Sequence, residues 1–299
     1  MAPCGDPSMR TDGRESDHVE DRRGQRAGGG GMRMGAGKLG LGGVVIALIA
    51  SVFFGVDPRL VMGVMEGMPS GAPQAQAPAG PAPKPSDQAG RFMSVVLADT
   101  EDTWKELFRQ GGARYAEPTL VLFSDAWPTA CGRGDAAAGP FYCPADRKIY
   151  IDLTFFRQLS ERFKAPGDFA AAYVLAHEVG HHVQNQLGVM NKVQQLRAHQ
   201  TTAQANETSV RVELQADCFA GIWAHHAQRS RQILQQGDLE EALRAAAAVG
   251  DDMLQRATRG RVVPESFTHG TAEQRQRWFR IGYESGKMAA CDTFKAQRL

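Results

Sequence analysis

Leu175-Ala176-His177-Glu178-Val179-Gly180-His181-His182-Val183 decides how the rest of the chain is read. It is an H-E-x-x-H arrangement set in an apolar run. On a helix, His177 and His181 lie four residues apart on one face, one turn above the other. Two imidazoles placed this way can share one zinc ion. Glu178, beside the first histidine, can reach a water at that ion as a general base. The pattern points to zinc-assisted hydrolysis, most often of a peptide bond. Phe169, Ala170, Ala171, Ala172, Val174, Leu175, Ala176 and Val179 make the helix apolar on nearly every side. Such a helix belongs inside a domain, where two imidazoles and a carboxylate are costly without a partner. A metal supplies that partner; the competing reading is a surface helix that carries two histidines by coincidence.

A tetrahedral catalytic zinc takes a third protein ligand and keeps one position open. Val212-Glu213-Leu214-Gln215-Ala216-Asp217-Cys218 offers a carboxylate pair four residues apart on one helix face. Glu213 is read as the third ligand. Asp217 is read as the carboxylate behind the metal that accepts the free N–H of a ligating histidine. Alone, the pair would be an acidic stripe on a solvated face. Rival ligands are poorer: the position six residues after His181, which a three-histidine motif would need, is Leu187. His182 points about 100° away around the helix. His199 lies in a polar run, and His225 and His226 lie two to three turns beyond Asp217.

With these residues in place, the chain resembles the bacterial neutral zinc metallopeptidases, membrane-anchored relatives of the thermolysin-like gluzincins. The resemblance covers nearly the whole chain. It runs through Arg14–Arg23, Thr129-Ala130-Cys131-Gly132, Gly139–Pro144, Ile149–Leu153, His177–Gln184, Glu213–Cys218 and Ser266–Gly270. It implies a zincin-like domain and a zinc metalloendopeptidase, with one Zn²⁺ on His177, His181 and Glu213, Glu178 as base, and a peptide or protein substrate.

The chain has 299 residues, a formal net charge of +1 and 22% charged residues, which argues against a strongly basic nucleic-acid binder. Residues 1–38 are polar and Gly/Arg-rich and read as a disordered cytoplasmic tail. The family-like opening begins near Met9, so residues 1–8 are read as the product of a misassigned upstream start. Leu39–Val56 is an uncharged run, just long enough for a hydrocarbon core of about 30 Å. Span 39–57 is therefore read as one transmembrane anchor, against the alternative of a cleaved signal peptide. Arginines before it place the N-terminus inside and the catalytic domain outside the bacterial cytoplasmic (inner) membrane. Residues 66–90, rich in Pro and Ala, read as a tether, and 91–299 as the metallopeptidase domain.

Cys131, Cys143, Cys218 and Cys291 allow three pairings. Cys131–Cys143, closing a short loop, is the first choice, which leaves Cys218–Cys291; both need an oxidising compartment. Thr119–Phe123 reads as a strand, and Phe141–Cys143 with Lys148–Leu153 as a hairpin. Gly139–Leu153 is the candidate edge strand for pairing an extended substrate. Helices are expected at 103–110, 168–187, 207–230, 237–257 and 271–290. The sum is an α+β fold, a small N-terminal sheet followed by mainly helical chain, behind a single transmembrane helix. His269 is the candidate second electrophile for the oxyanion, with Tyr142 or Tyr150 as substitutes and a helix-capping role as its bland alternative. Two other functions stay open: a membrane-tethered zinc-binding scaffold without catalysis, and a zinc hydrolase of a non-peptide amide.

Overall fold

The computed structural model describes residues 9–10, 12–25, 82–136 and 139–299. These fall into two units. One comprises Arg91–Glu117, Phe156–Leu299 and the described residues before His18; the other comprises Pro118–Phe155 and the described residues from His18 to Gly90.

The smaller unit is built on β1 (Val19–Asp21), β2 (Thr119–Leu122), β3 (Ala126–Thr129), β4 (Gly132–Asp135), β5 (Phe141–Cys143) and β6 (Lys148–Ile151). Four of them form a sheet in the order β1-β2-β6-β5. β2 pairs in parallel with both β1 and β6, and β5 closes the edge antiparallel to β6. Leu120, Val121 and Leu122 are all buried, as expected of a central parallel strand covered on both faces. The expected hairpin is present: Phe141 lies opposite Tyr150, and their rings stack at 5.0 Å. Val121, Phe123, Trp127, Phe141, Cys143 and Tyr150 form the core cluster. Cys131, in the turn between β3 and β4, is bonded to Cys143 of β5.

The larger unit holds most of α1 (Gln88–Gln110) and α2 (Thr154–Phe163), then α3 (Asp168–Gln186), α4 (Val189–Arg197), α5 (Thr202–Arg231), α6 (Asp238–Ala248), α7 (Asp251–Arg259) and α8 (Ala272–Ser285). α3 packs on α5 and α6, and α5 packs along α8. Two glycines set how closely. A Cβ on Gly180 of α3 would meet the Ala216 carbonyl oxygen of α5 at 2.9 Å; one on Gly221 of α5 would meet the Phe279 carbonyl oxygen of α8 at 2.1 Å. Removing the side chain lets backbone approach backbone at both crossings. α3 is buried along nearly its whole length, as its all-round apolar sequence requires. Trp223 lies flat on Phe169 at 5.6 Å and donates its indole N–H to Asp99 at 2.7 Å. Burial of each such aromatic side chain contributes about 1.5–3 kcal/mol. Thr201 and Thr271 start α5 and α8 with capping boxes closed by Gln204 and Gln274. Cys218 of α5 is bonded to Cys291, in a short 3₁₀ turn (Met288–Cys291) beyond α8.

Several expectations are revised. The α+β character holds, but an α+β domain behind a single transmembrane helix does not. No helix among the described residues is long and apolar enough to cross a membrane. The long ones carry charge that hydrocarbon would penalise: α5 alone holds Glu207, Arg211, Glu213 and Asp217. Single-pass placement in the cytoplasmic membrane is corrected with it. The segment read as the anchor, 39–57, lies outside the described residues, as does most of the 66–90 tether. The disorder expected over 1–38 does not extend to Val19–Asp21, which pairs with β2. The helix expected over 237–257 is two helices. Between them Gly250 is extended, and a Cβ there would meet the Ala272 backbone nitrogen at 2.5 Å. The helix expected over 271–290 stops at Ser285, where Gly286 takes a left-handed cap.

Candidate metal centre

α3 and α5 cross at Gly180 and Ala216, and this crossing brings His177 and His181 onto Glu213. One ligand atom from each lies within 4.8 Å of the other two. The Glu213 carboxylate oxygens sit 3.2 Å from His177 Nε2 and 3.5 Å from His181 Nε2. The two imidazoles lie edge to face, 4.8 Å between centroids. Histidine and carboxylate ligands at about 2.0–2.2 Å in a tetrahedron lie about 3.3–3.6 Å from one another, and the two histidine–carboxylate separations fall close to that range.

The charge pattern makes the same demand. His177 Nδ1 lies 2.8 Å from Asp217 Oδ1 and donates to it. In the neutral ring, Nε2 then carries a lone pair that faces a carboxylate. That contact is repulsive unless a cation lies between. Without a metal a proton serves. Burial would depress the His177 pKa, but the charge and hydrogen bond of Asp217 and the hydrogen bond to Glu213 outweigh it and raise it to about 9. Burial likewise opposes ionisation of Glu213, yet the histidines hold its pKa well below the usual carboxylate range.

Asp217 is fully buried. Arg275 of α8 grips it with two bonds, Nε to Oδ2 at 2.8 Å and Nη2 to Oδ1 at 2.9 Å. The Tyr173 hydroxyl donates to Oδ1 at 2.5 Å and accepts from Arg275 Nη2 at 3.2 Å. Burial works against the Asp217 charge, but Arg275 and His177 bring its pKa down to about 2. His181 is held differently: its Nδ1 lies 2.9 Å from Gln184 Oε1.

Glu178 is buried next to these groups, and burial raises its pKa. A carboxylate so placed is a better proton acceptor than one in water. His269 is also buried. Asp251 accepts the backbone N–H groups of Thr268, His269 and Gly270 at 2.7, 2.6 and 3.0 Å, and its other oxygen lies 3.2 Å from His269 Nδ1. The helix cap is supplied by Thr271, so the capping alternative for His269 is set aside. Burial opposes protonation of His269, but Asp251 outweighs it and raises the pKa. Nε2 of His269 is buried without a hydrogen-bond partner among the described residues, and the charge of His269 is felt at Glu213.

The remaining candidates are placed elsewhere. His182 Nε2 lies 2.6 Å from the Ala116 carbonyl oxygen. His225 and His226 bond the carbonyls of Tyr283 and Gly286 at the end of α8. Tyr150 donates to Asp146 in the smaller unit, and Tyr142 is buried in the same unit. No fourth His, Cys, Asp or Glu among the described residues joins the group of three, and Cys218 is committed to its disulfide. Sequence reasoning missed Tyr173, Gln184, Asp251 and Arg275. Only Tyr173 carried a signal: on a helix it precedes His177 by four residues and shares its face.

No solved structure matches the chain. It is 50% identical over 291 residues to the Escherichia coli K12 protein named "Uncharacterized protein YpfJ", which covers 96% of this chain and 99% of that one. It is 43% identical over 221 residues to the Mycobacterium tuberculosis H37Rv protein named "Uncharacterized protein Rv2575", covering 71% of this chain and 74% of that one. The profile of one family, described as "Putative neutral zinc metallopeptidase", matches residues 9–294, and the chain belongs to that family of zinc peptidases.

Proposed function

We propose that the chain is a zinc metalloendopeptidase of gluzincin type, with one zinc ion held by His177, His181 and Glu213. The observation that carries this reading is the three-donor cluster, which no fourth ligand joins among the described residues. A structural zinc site is closed by four ligands, whereas a catalytic one keeps a position free. Zinc in such a site supplies Lewis acidity toward a water and a carbonyl. Glu178, whose affinity for protons burial has raised, takes the proton of the attacking water and returns it to the leaving amine. His269, with its buried and unpartnered Nε2, donates to the oxyanion as it forms. Asp217 holds His177 with Nδ1 protonated, which keeps Nε2 free for the metal. The span 91–299 carries every residue of this reading.

A non-catalytic zinc scaffold would need Cys218 or His182 as a fourth ligand, and both are engaged elsewhere. A hydrolase of a non-peptide amide would use the same groups. Incubating the chain with a mixture of denatured proteins, with and without a chelator, separates the readings. A peptidase yields new amino termini that the chelator suppresses and added zinc restores. Zinc binding without new termini would reject the peptidase reading.

A further inference from the structure

Among the described residues, no carboxylate pairs with His181 Nδ1. In its place runs a line of side-chain amides. Gln184 Oε1 lies 2.9 Å from His181 Nδ1. Gln184 Nε2 donates to the Val212 carbonyl oxygen at 2.7 Å and to Gln215 Oε1 at 3.0 Å. Gln215 Nε2 donates to the Cys291 carbonyl oxygen at 2.9 Å. Gln184 and Gln215 are both buried, so none of these bonds can be exchanged for water without cost.

The direction of this line is fixed by its ends. A backbone carbonyl only accepts. Val212 and Cys291 therefore each require an amide NH₂ to face them. Turning Gln215 over would set its oxygen against the Cys291 oxygen. Turning Gln184 over would set its oxygen against that of Val212 and its NH₂ against His181. With both amides locked, Gln184 presents an oxygen to His181, and only a protonated Nδ1 satisfies it. His181 Nε2 is then left toward Glu213, matching the tautomer that Asp217 imposes on His177. The far end is anchored twice to α5. Cys291 is bonded to Cys218, and the Thr293 hydroxyl donates to the Arg211 carbonyl oxygen at 2.6 Å.

We infer that Gln184 and Gln215 are positioning residues of the metal site: a directed amide relay, anchored on the carbonyls of Val212 and Cys291, that fixes the tautomer and orientation of His181. This rests on the zinc reading above. It also gives the C-terminal segment a role at the metal, because the Cys291 carbonyl is the last fixed acceptor of the relay. The metal thus has two unlike supports: an ionic one through Asp217 and Arg275, and a neutral one through two amides.

The test measures zinc dissociation constants by competition with a chromophoric chelator, on folded protein. The variants are Gln184→Ala, Gln215→Ala and, as a control on the same helix, Gln186→Ala, whose side chain bonds the backbone of Ala116. Loss of an outer partner of a metal-bound histidine weakens binding by roughly 10–100-fold. Gln184→Ala should fall in that range, Gln215→Ala should weaken binding less, and Gln186→Ala should match the parent. A slowly exchanging His181 Nδ1–H resonance should be visible in the zinc-loaded parent and broadened in Gln184→Ala. A merely structural role would lower the urea midpoint of the zinc-free variants and leave zinc affinity and this resonance unchanged. That outcome overturns the relay. A parent chain that binds no zinc would instead overturn the reading on which the relay rests.

Discussion

Replacing Arg275 by methionine keeps a long apolar side chain and removes the guanidinium. Asp217, fully buried, then loses the bonds at 2.8 and 2.9 Å and the one arginine that bonds it among the described residues. Tyr173 and His177 remain, but neither brings a permanent positive charge. Removing one partner of a buried ion pair costs about 3–5 kcal/mol, mostly because the other charge is left uncompensated. That is a large part of the roughly 5–15 kcal/mol by which domains are stable. The assay is urea unfolding of zinc-free protein followed by tryptophan fluorescence. The double variant Arg275→Met, Asp217→Asn removes the orphaned charge as well. Its loss should fall short of the sum of the single losses by about 1–3 kcal/mol. A loss below about 1 kcal/mol in Arg275→Met, or strict additivity in the double variant, would refute the reasoning. Zinc affinity should fall in parallel, since Asp217 would no longer be held as an anion against His177 Nδ1.

Asp217 also predicts an acid dependence. Its folded pKa of about 2 lies below the unfolded value of 3.8. A depressed carboxylate stabilises above the unfolded pKa and loses that contribution as pH falls through the folded one, here about 2–3 kcal/mol in all. The stability gap between zinc-free parent and Asp217→Asn should therefore shrink from pH 4 toward pH 2; a constant gap would speak against it. Gly180→Ala forces a methyl against the Ala216 backbone and should cost about 1–3 kcal/mol while weakening zinc binding, because the two ligand-bearing helices must part. Unchanged urea midpoint and zinc affinity would show that the crossing has slack. The two disulfides close loops of 73 and 12 residues, worth about 4 and 3 kcal/mol on the chain-entropy model. Serine pairs at Cys218/Cys291 should thus lower the thermal midpoint more than pairs at Cys131/Cys143, and the reverse order would count against that account.

What could be read from the sequence follows the range of the interactions. The H-E-x-x-H helix and the Glu213–Asp217 pair are local patterns, set by residues four apart on one helix. Their meeting follows from the need of two histidines for a third donor. The β5–β6 hairpin is local too. By contrast, β1 is three residues long and pairs with a strand about a hundred residues later. Its polar composition, Val19-Glu20-Asp21, carries no strand signal. Arg275 sits among Gln274, Gln276 and Arg277, where nothing marks it as the one that is buried; only the cost of an unpaired Asp217 implies that such a partner exists. Asp251 reads as a first-turn helix acid, and its grip on the Thr268–Gly270 backbone arises from tertiary approach. The break between α6 and α7 was legible in principle: Gly250 followed by Asp251 and Asp252 is a helix stop followed by a helix start. The apolar run at 39–56 favoured a membrane anchor on length and charge alone, and the described helices do not support that architecture.

The central claim is that Glu178 acts on substrate beside a metal it does not hold. Glu178→Gln is nearly the same size and leaves the His177, His181 and Glu213 donors intact. The most direct measurement is the rate of peptide-bond cleavage by parent and Glu178→Gln at matched zinc content, established by atomic absorption. The account predicts equal zinc and a rate lower by at least about 10²–10⁴ in the variant. Equal zinc with an undiminished rate would contradict it.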